Sequence, residues 1–246
     1  MKKFLIVALF LTFLGFALIC NLNNEKTETS LIVKSTIELS VPEPSGLFFE
    51  KETKTFWTVS DENSTVYNLD MEGKVLKNFK VDEKDLEGIT LINDSTLAVV
   101  LERDRSILVL DKNGNELKRI NLNISGELNK GLEGITYDHK KDQFILVNEK
   151  KPKSLFKVDN SGKIIEEVKF SFAKDLSGIY YSNSTNIFWI ISDEDKSVFK
   201  CSSNGDVISS YKVNIEQIEG IAIDEESSIL YLVSDPLNKL YVCDLL

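Results

Sequence analysis

The chain reads as an all-β protein, a five-bladed β-propeller of four-stranded blades. Three observations predict it: a short motif that recurs five times, short apolar runs punctuated by turn residues, and a final unit that lacks its fourth strand. The motif is Pro44-Ser45-Gly46-Leu47, Leu86-Glu87-Gly88-Ile89, Leu132-Glu133-Gly134-Ile135, Leu176-Ser177-Gly178-Ile179 and Ile218-Glu219-Gly220-Ile221, with successive glycines 42 to 46 residues apart. A period of roughly 40–45 residues built from short strands is that of propeller blades. A sixth, degenerate blade or an open sandwich is the competing architecture.

The second unit shows how each blade is written. Residues 88–92 are apolar, 93–95 are turn chemistry, 97–101 form a second apolar run, 107–110 a third, and 116–122 alternate as a more exposed fourth strand. Runs rich in β-branched residues bounded by Gly, Asn, Asp and Ser are strand and hairpin signals. The steps Asn113-Gly114, Ser161-Gly162 and Asn204-Gly205 suit turns that need positive φ. Pro42, Pro44, Pro152 and Pro236 are expected in loops, since a proline cannot donate to a strand ladder. Past the N-terminus no stretch keeps a helical period.

The last unit ends with its third strand, from residue 240 to the C-terminus. Residues 31–40 resemble the segments that precede the blade-opening glycines elsewhere, such as 75–79 and 164–170. They are therefore expected to supply the missing outer strand and close the ring, which removes the exposed sheet edges that invite aggregation.

Ahead of the propeller, Lys2-Lys3 is followed by an apolar run over residues 4–19, then by polar residues 21–30. Residues 1–20 read as a signal peptide or membrane anchor, 21–30 as a tether and 31–246 as the propeller, placed outside the cytoplasm. Ala17-Leu18-Ile19-Cys20 resembles a lipoprotein cleavage box with Cys20 as the lipidated residue, although Ile19 stands where a small residue is usual. The alternatives are an uncleaved anchor, just short of a comfortable span, and a cleaved, secreted form. The formal net charge of −10 becomes −12 without the leader that carries Lys2 and Lys3. That balance argues against nucleic-acid binding, which needs a basic face, and against adhesion to anionic lipid.

The repeat also aligns the chemistry. In a propeller the first strand of each blade lines the central channel, and its start shares a face with the end of the second strand. The residues before the glycines are Ser45, Glu87, Glu133, Ser177 and Glu219; those at the ends of the second strands are Asp61, Glu102, Glu149, Asp193 and Asp235. Eight carboxylates thus gather around one mouth, where like charges raise one another's pKa or demand a counter-charge. Three glutamates with serine hydroxyls form an all-oxygen environment suited to Ca²⁺ or Mg²⁺, or to a small cationic ligand. The bland alternative is that Asp61, Asp193 and Asp235, in Ser-Asp steps, merely cap turns. Arg103 and Lys150 stand next to Glu102 and Glu149 as local counter-charges.

Other chemistry is sparse. The single histidine, His139, lies in a polar turn, and no phosphate loop, zinc spacing or dinucleotide fingerprint is present. Cys201 and Cys243 fall where other blades carry Leu69, Leu110 and Val158, so they read as buried aliphatic substitutes. Trp57 and Trp189, at equivalent second-strand positions, read as packing aromatics.

Glu43-Pro44-Ser45-Gly46-Leu47, Ser-Asp-Glu at 60–62 and 192–194, and Leu-Glu-Gly-Ile at 86–89 and 132–135, behind a leader, resemble the SdiA-regulated (YjiK-like) family. The resemblance spans roughly residues 31–246. It implies a bacterial cell-envelope propeller with an N-terminal membrane segment, and a metal at the glutamate-bearing mouth is compatible with such a fold. Ser45 and Ser177 break five-fold symmetry in the acidic ring.

The expected function is a membrane-tethered, extracytoplasmic binding or scaffold propeller with a divalent-cation site at the acidic mouth. Its partner is an unknown protein or a small cationic ligand. The runner-up is a metal-dependent hydrolase of a small ester, lactone or phosphate. A disc that binds a basic protein partner without metal is the third reading.

Overall fold

In the computed structural model, which describes residues 29–125, 127 and 130–245, every regular element is a β-strand. The strands form five sheets arranged as propeller blades. Blade 1 is Pro44–Glu50, Thr55–Ser60, Thr65–Leu69 and Val75–Lys80; blade 2 is Leu86–Asn93, Thr96–Leu101, Ser106–Asp111 and Glu116–Asn121. Blade 3 is Leu132–Asp138, Gln143–Asn148, Ser154–Asp159 and Ile164–Lys169, and blade 4 is Gly178–Ser182, Ile187–Ser192, Ser197–Cys201 and Val207–Lys212. Each is an antiparallel meander in chain order from the axis outward.

Blade 5 contains Ile218–Asp224, Ile229–Ser234 and Lys239–Asp244, and its outer strand is Val33–Glu38, paired antiparallel with Lys239–Asp244 (Thr36 opposite Tyr241). The N-terminal strand therefore closes the ring as expected. A second clasp carries no pattern in the sequence: Thr29–Ser30, read as the end of the tether, pairs parallel with Tyr211 and Lys212 at the rim of blade 4. The leader, Cys20 included, lies outside the described residues; no helix among the described residues is long and apolar enough to cross a membrane.

The apolar pattern explains the layering. Second strands are buried along nearly their whole length, because neighbouring blades cover both faces, whereas fourth strands are mostly exposed. Five hydrophobic clusters each fill one junction between neighbouring blades. One joins Phe56 and Phe49 of blade 1 to Tyr231 and Val233 of blade 5, so the core is continuous across the closure. Trp57 and Trp189 are buried in these junctions; Trp57 Nε1 donates to Glu50 (2.8 Å), and Trp189 stacks on Tyr211. Cys201 and Cys243 are free, buried thiols pushed up to about 12 and about 11, first by desolvation.

Two local expectations are refined. Gly114, Gly162 and Gly205 do take φ near +90° at the predicted turns. Pro44, expected in a loop, is instead the first residue of the inner strand of blade 1, a position proline tolerates at the end of a ladder. Each outer strand also carries a register shift whose extra residue points outward: Leu76, Leu117, Ile165, Ile208 and, in the closing strand, Lys34. Bulges of this kind twist an exposed edge away from pairing with another chain.

The recurring glycines set the axis. A Cβ on Gly88 would stand 2.7 Å from Ile135 N, one on Gly134 2.9 Å from Ile179 N, and one on Gly220 2.6 Å from the carbonyl carbon of Gly46. Each inner strand therefore rests on the backbone of the next, which only a residue without Cβ allows. The space left at this waist, among the glycines and Leu47, Ile89, Ile135, Ile179 and Ile221, is about 10 Å³. The channel is pinched into two separate mouths.

Candidate functional site

At one mouth the inner strands begin. In blades 1, 2, 3 and 5 the register shifts beside the motif, between Ser45 and Leu47, Leu86 and Ile89, Leu132 and Gly134, and Ile218 and Gly220. A bulge places one extra residue on the strand and re-aims its side chain. The residue added is the glutamate itself in blades 3 and 5, Glu133 and Glu219; in blade 2 Glu87 and Gly88 together stand opposite Val100, and in blade 1 the added residue is Gly46. The second strands end at the same face: Glu102 N donates to Asp85 O (3.0 Å), Glu149 N to Gly131 O (2.8 Å) and Asp235 N to Gln217 O (3.1 Å), each tying a strand end to the segment that enters an inner strand.

The three glutamates keep some surface toward the channel but are otherwise enclosed by protein. Burial raises the Glu87 carboxyl to about 8; a hydrogen bond from Ser45 opposes the rise, and Asp61, Glu102 and Asp85 add to it. Glu133 is pushed well above the carboxylate range, first by desolvation and then by the charges of Glu87, Glu219, Glu102 and Glu149. Glu219 moves the same way, first by desolvation and then through Glu87, Asp193, Asp235 and Asp175. The two aligned sets thus form one electrostatic unit.

The serines differ in use. Ser45 Oγ donates to Glu87 Oε2 at 2.6 Å, whereas Ser177 Oγ donates to the carbonyl of Ile218 at 2.9 Å. Both are buried. Among the described residues, neither the Glu133 nor the Glu219 side chain has a hydrogen bond or ion pair.

The outer set is less uniform. Glu102 is buried, accepts from Gly131 N (3.0 Å) and is raised mainly by desolvation. Asp61 is exposed and raised by desolvation with Asp85 and Glu43, while Asp193 is raised by desolvation and Asp175. Asp235 is raised to about 6 by desolvation and then by Glu43 and Asp61, and its Oδ1 is buried without a hydrogen-bond partner among the described residues. Glu149 is neutralised by Lys150 at 2.6 Å, and Lys150 also reaches Glu194 at 2.7 Å. Arg103 turns to Asp85 (3.4 Å) instead of its neighbour Glu102.

The repeat had not flagged Asp85, Asp175 or Glu43, which contribute to the same field. They share one repeat position, three residues before Gly46, Gly88 and Gly178, where blades 3 and 5 carry Gly131 and Gln217 instead. Asp175 is buried and accepts a short hydrogen bond from Ser192 Oγ. His139 lies at the opposite mouth, beside Tyr137 and Tyr180, and does not meet the carboxylates. Among the described residues no three His, Cys, Asp or Glu side chains converge as a preformed metal cage. The arrangement is a desolvated, carboxyl-lined funnel in which burial and mutual repulsion favour the protonated forms of Glu87, Glu133 and Glu219.

The model of a family described as SdiA-regulated matches residues 23–243. Among solved structures, the glutaminyl cyclase of Myxococcus xanthus is similar with a TM-score of 0.71 at 11% identity, over 89% of this chain and 98% of that one. The virginiamycin B lyase of Staphylococcus aureus is similar with a TM-score of 0.53 at 18% identity, over 82% of this chain and 66% of that one. A streptogramin B lyase is similar with a TM-score of 0.52 at 17% identity, over 81% of this chain and 65% of that one. At these identities the likeness is one of fold.

Proposed function

The chain belongs to the SdiA-regulated family, and from that premise we propose that it is a binding propeller held outside the cytoplasm by its N-terminal segment, with a divalent-cation site at the acidic mouth. The observation that carries this reading is the group Glu87, Glu133 and Glu219, enclosed carboxyls whose acidities are suppressed by burial and by one another. A cation entering the mouth reverses both effects: it replaces lost solvation and turns mutual repulsion into shared attraction.

The donor set is all oxygen, which matches Ca²⁺ or Mg²⁺ and not a soft metal. Glu87, Glu133 and Glu219 would hold the ion, with the Ser45 and Ser177 hydroxyls beside them and Asp61, Glu102, Glu149, Asp193 and Asp235 forming the outer field. Because the carboxylates do not converge as a closed cage, the fit is to an ion that keeps part of its water shell, as Mg²⁺ commonly does. The basic n-region and the apolar run over residues 4–19, ending at Cys20, support the membrane tether.

The test is a thermal melt of the full chain in chelator, then with Ca²⁺ or Mg²⁺, beside Glu133→Gln. Selective binding to the folded state raises the melting temperature by linkage. The expected result is an ion-dependent rise with proton release in unbuffered solution, both lost in Glu133→Gln. No rise with either ion overturns the metal reading; salt-sensitive capture of a basic protein partner would then identify the mouth as a protein-docking surface.

A further inference from the structure

Below the glycine waist lies a second mouth with different chemistry. It is a cavity of about 320 Å³, at the small-ligand end of the usual range. The axis-facing residues two places beyond the motif glycines form its inner wall: Phe48, Thr90, Thr136 and Tyr180. Thr90 and Thr136 are only 2% and 7% exposed, yet neither hydroxyl has a hydrogen-bond partner among the described residues. Both hydroxyl oxygens open to the cavity from otherwise buried side chains, so together they offer a polar ligand atom two fixed partners.

The rim supplies the complementary charge. Asp224, Glu225 and Glu226 follow one another at the end of the inner strand of blade 5. Asp224 has Lys54 at 3.5 Å and Glu226 has Lys51 at 3.0 Å. Glu225 has no ion pair within contact distance among the described residues; Tyr180 Oη at 2.9 Å and Ser184 Oγ at 2.5 Å donate to it, and the charge of Lys51 acts on it from further off. It is an oriented anion with acceptor capacity to spare. The Phe48 and Tyr180 rings beside it offer an apolar surface and π-faces suited to a cation.

We propose that this second mouth binds a small organic amine: its cationic nitrogen on Glu225, its flat apolar body against Phe48 and Tyr180, and a distal hydroxyl on Thr90 and Thr136. This site is separate from the acidic mouth and does not depend on the reading of that mouth.

Tyramine is the probe, titrated calorimetrically into the full chain. Tyrosol, which replaces the amine by a hydroxyl, and phenethylamine, which lacks the phenolic hydroxyl, are the controls. Tyramine is expected to bind saturably, tyrosol at least tenfold more weakly and phenethylamine several-fold more weakly. Glu225→Gln should weaken tyramine at least tenfold, and Thr90→Val with Thr136→Val should erase its advantage over phenethylamine. Glu133→Gln, at the other mouth, should leave tyramine binding unchanged. The ligand controls decide the matter even where a cavity variant misfolds. Absence of saturable tyramine binding, equal binding of tyrosol, or sensitivity to Glu133→Gln without sensitivity to Glu225→Gln overturns the proposal.

Discussion

Ser45 of blade 1 donates a 2.6 Å hydrogen bond to Glu87 of blade 2, although the two occupy the same position in successive repeats. A glutamate at 45 would have set a fourth enclosed carboxylate in the ring, between Glu87 and Glu219. The serine replaces a repulsive neighbour with a donor, and its bond opposes the rise in the Glu87 pKa that burial causes. The departure from five-fold symmetry therefore lets the ring carry the charges it has.

Removing that donor has a pH signature. In Ser45→Ala the Glu87 carboxyl should titrate above its present value of about 8. The loss of stability should be about 1.5–3 kcal/mol where Glu87 is ionised, as for a hydrogen bond to a charged group, and smaller where it is neutral. Urea unfolding at pH 6 and pH 9 measures both. Equal losses at the two pH values would show that the bond does not discriminate between the charge states of Glu87.

The stability of the whole propeller should fall as pH rises. Glu87 keeps its proton to about 8 in the folded chain, against 4.5 for an ordinary glutamate. Between those values the folded state binds more protons than the unfolded state. Its stabilisation is therefore full below about pH 4.5 and lost progressively toward about pH 8. Glu133 and Glu219 are raised in the same sense, and Asp235, raised to about 6, adds an earlier decline. In chelator, melting temperatures from pH 5 to 9 should drop by an amount on the order of a few kcal/mol of stability. Glu133→Gln should melt higher than the parent at pH 8 and show a shallower profile. A parent profile that is flat across this range would mean that the carboxyls are not desolvated as the structure has them.

Which parts of this were legible beforehand follows from what physically repeats. The motif glycines are readable because every inner strand must rest on its neighbour's backbone, so the same residue is required at Gly46, Gly88, Gly134, Gly178 and Gly220. Glu87, Glu133 and Glu219 are readable because each directly precedes one of those glycines. Asp85, Asp175 and Glu43 have an equally fixed offset, three residues before Gly88, Gly178 and Gly46, but Gly131 and Gln217 fill that position in the other two blades, so no single residue type marks it. Thr90 and Thr136 look like any β-branched strand residue; only their position facing the axis below the waist, without hydrogen-bond partners among the described residues, sets them apart. Thr29–Ser30 is too short a strand to carry periodicity, and its pairing with Tyr211 and Lys212 follows from where the closing strand must enter.

Substitution at the waist should be severe. In Gly88→Ala the new methyl would stand 2.7 Å from Ile135 N and 2.9 Å from Glu133 O, both backbone atoms that cannot rotate away. Relief requires blades 2 and 3 to separate at the axis, which opens their shared cluster of Val100, Ile107, Ile135 and Phe144. The expected cost is about 3 kcal/mol or more, in the range of overpacked cores. Denaturant unfolding measures it, and a loss under about 1 kcal/mol would show that the ring can widen at the axis.

Closure by the N-terminal strand makes the last prediction. Deleting the chain through Glu38 strips Lys239–Asp244 of its outer partner and leaves a bare edge on blade 5. The deletion also removes the Thr29–Ser30 clasp on blade 4 and the burial of Leu31 against Val213 and Ile218. The exposed strand carries Leu240, Tyr241 and Val242, an apolar run without the outward bulge that the other blades present at their rims. An edge of this kind pairs with other chains. The truncated protein should therefore aggregate or melt well below the parent, while a chain cut before Thr29 should melt as the parent does. Light scattering during a thermal ramp separates the two. Parental melting of the chain lacking Val33–Glu38 would mean that the ring is held shut by the blade 5 to blade 1 core around Tyr231 and Phe56 alone.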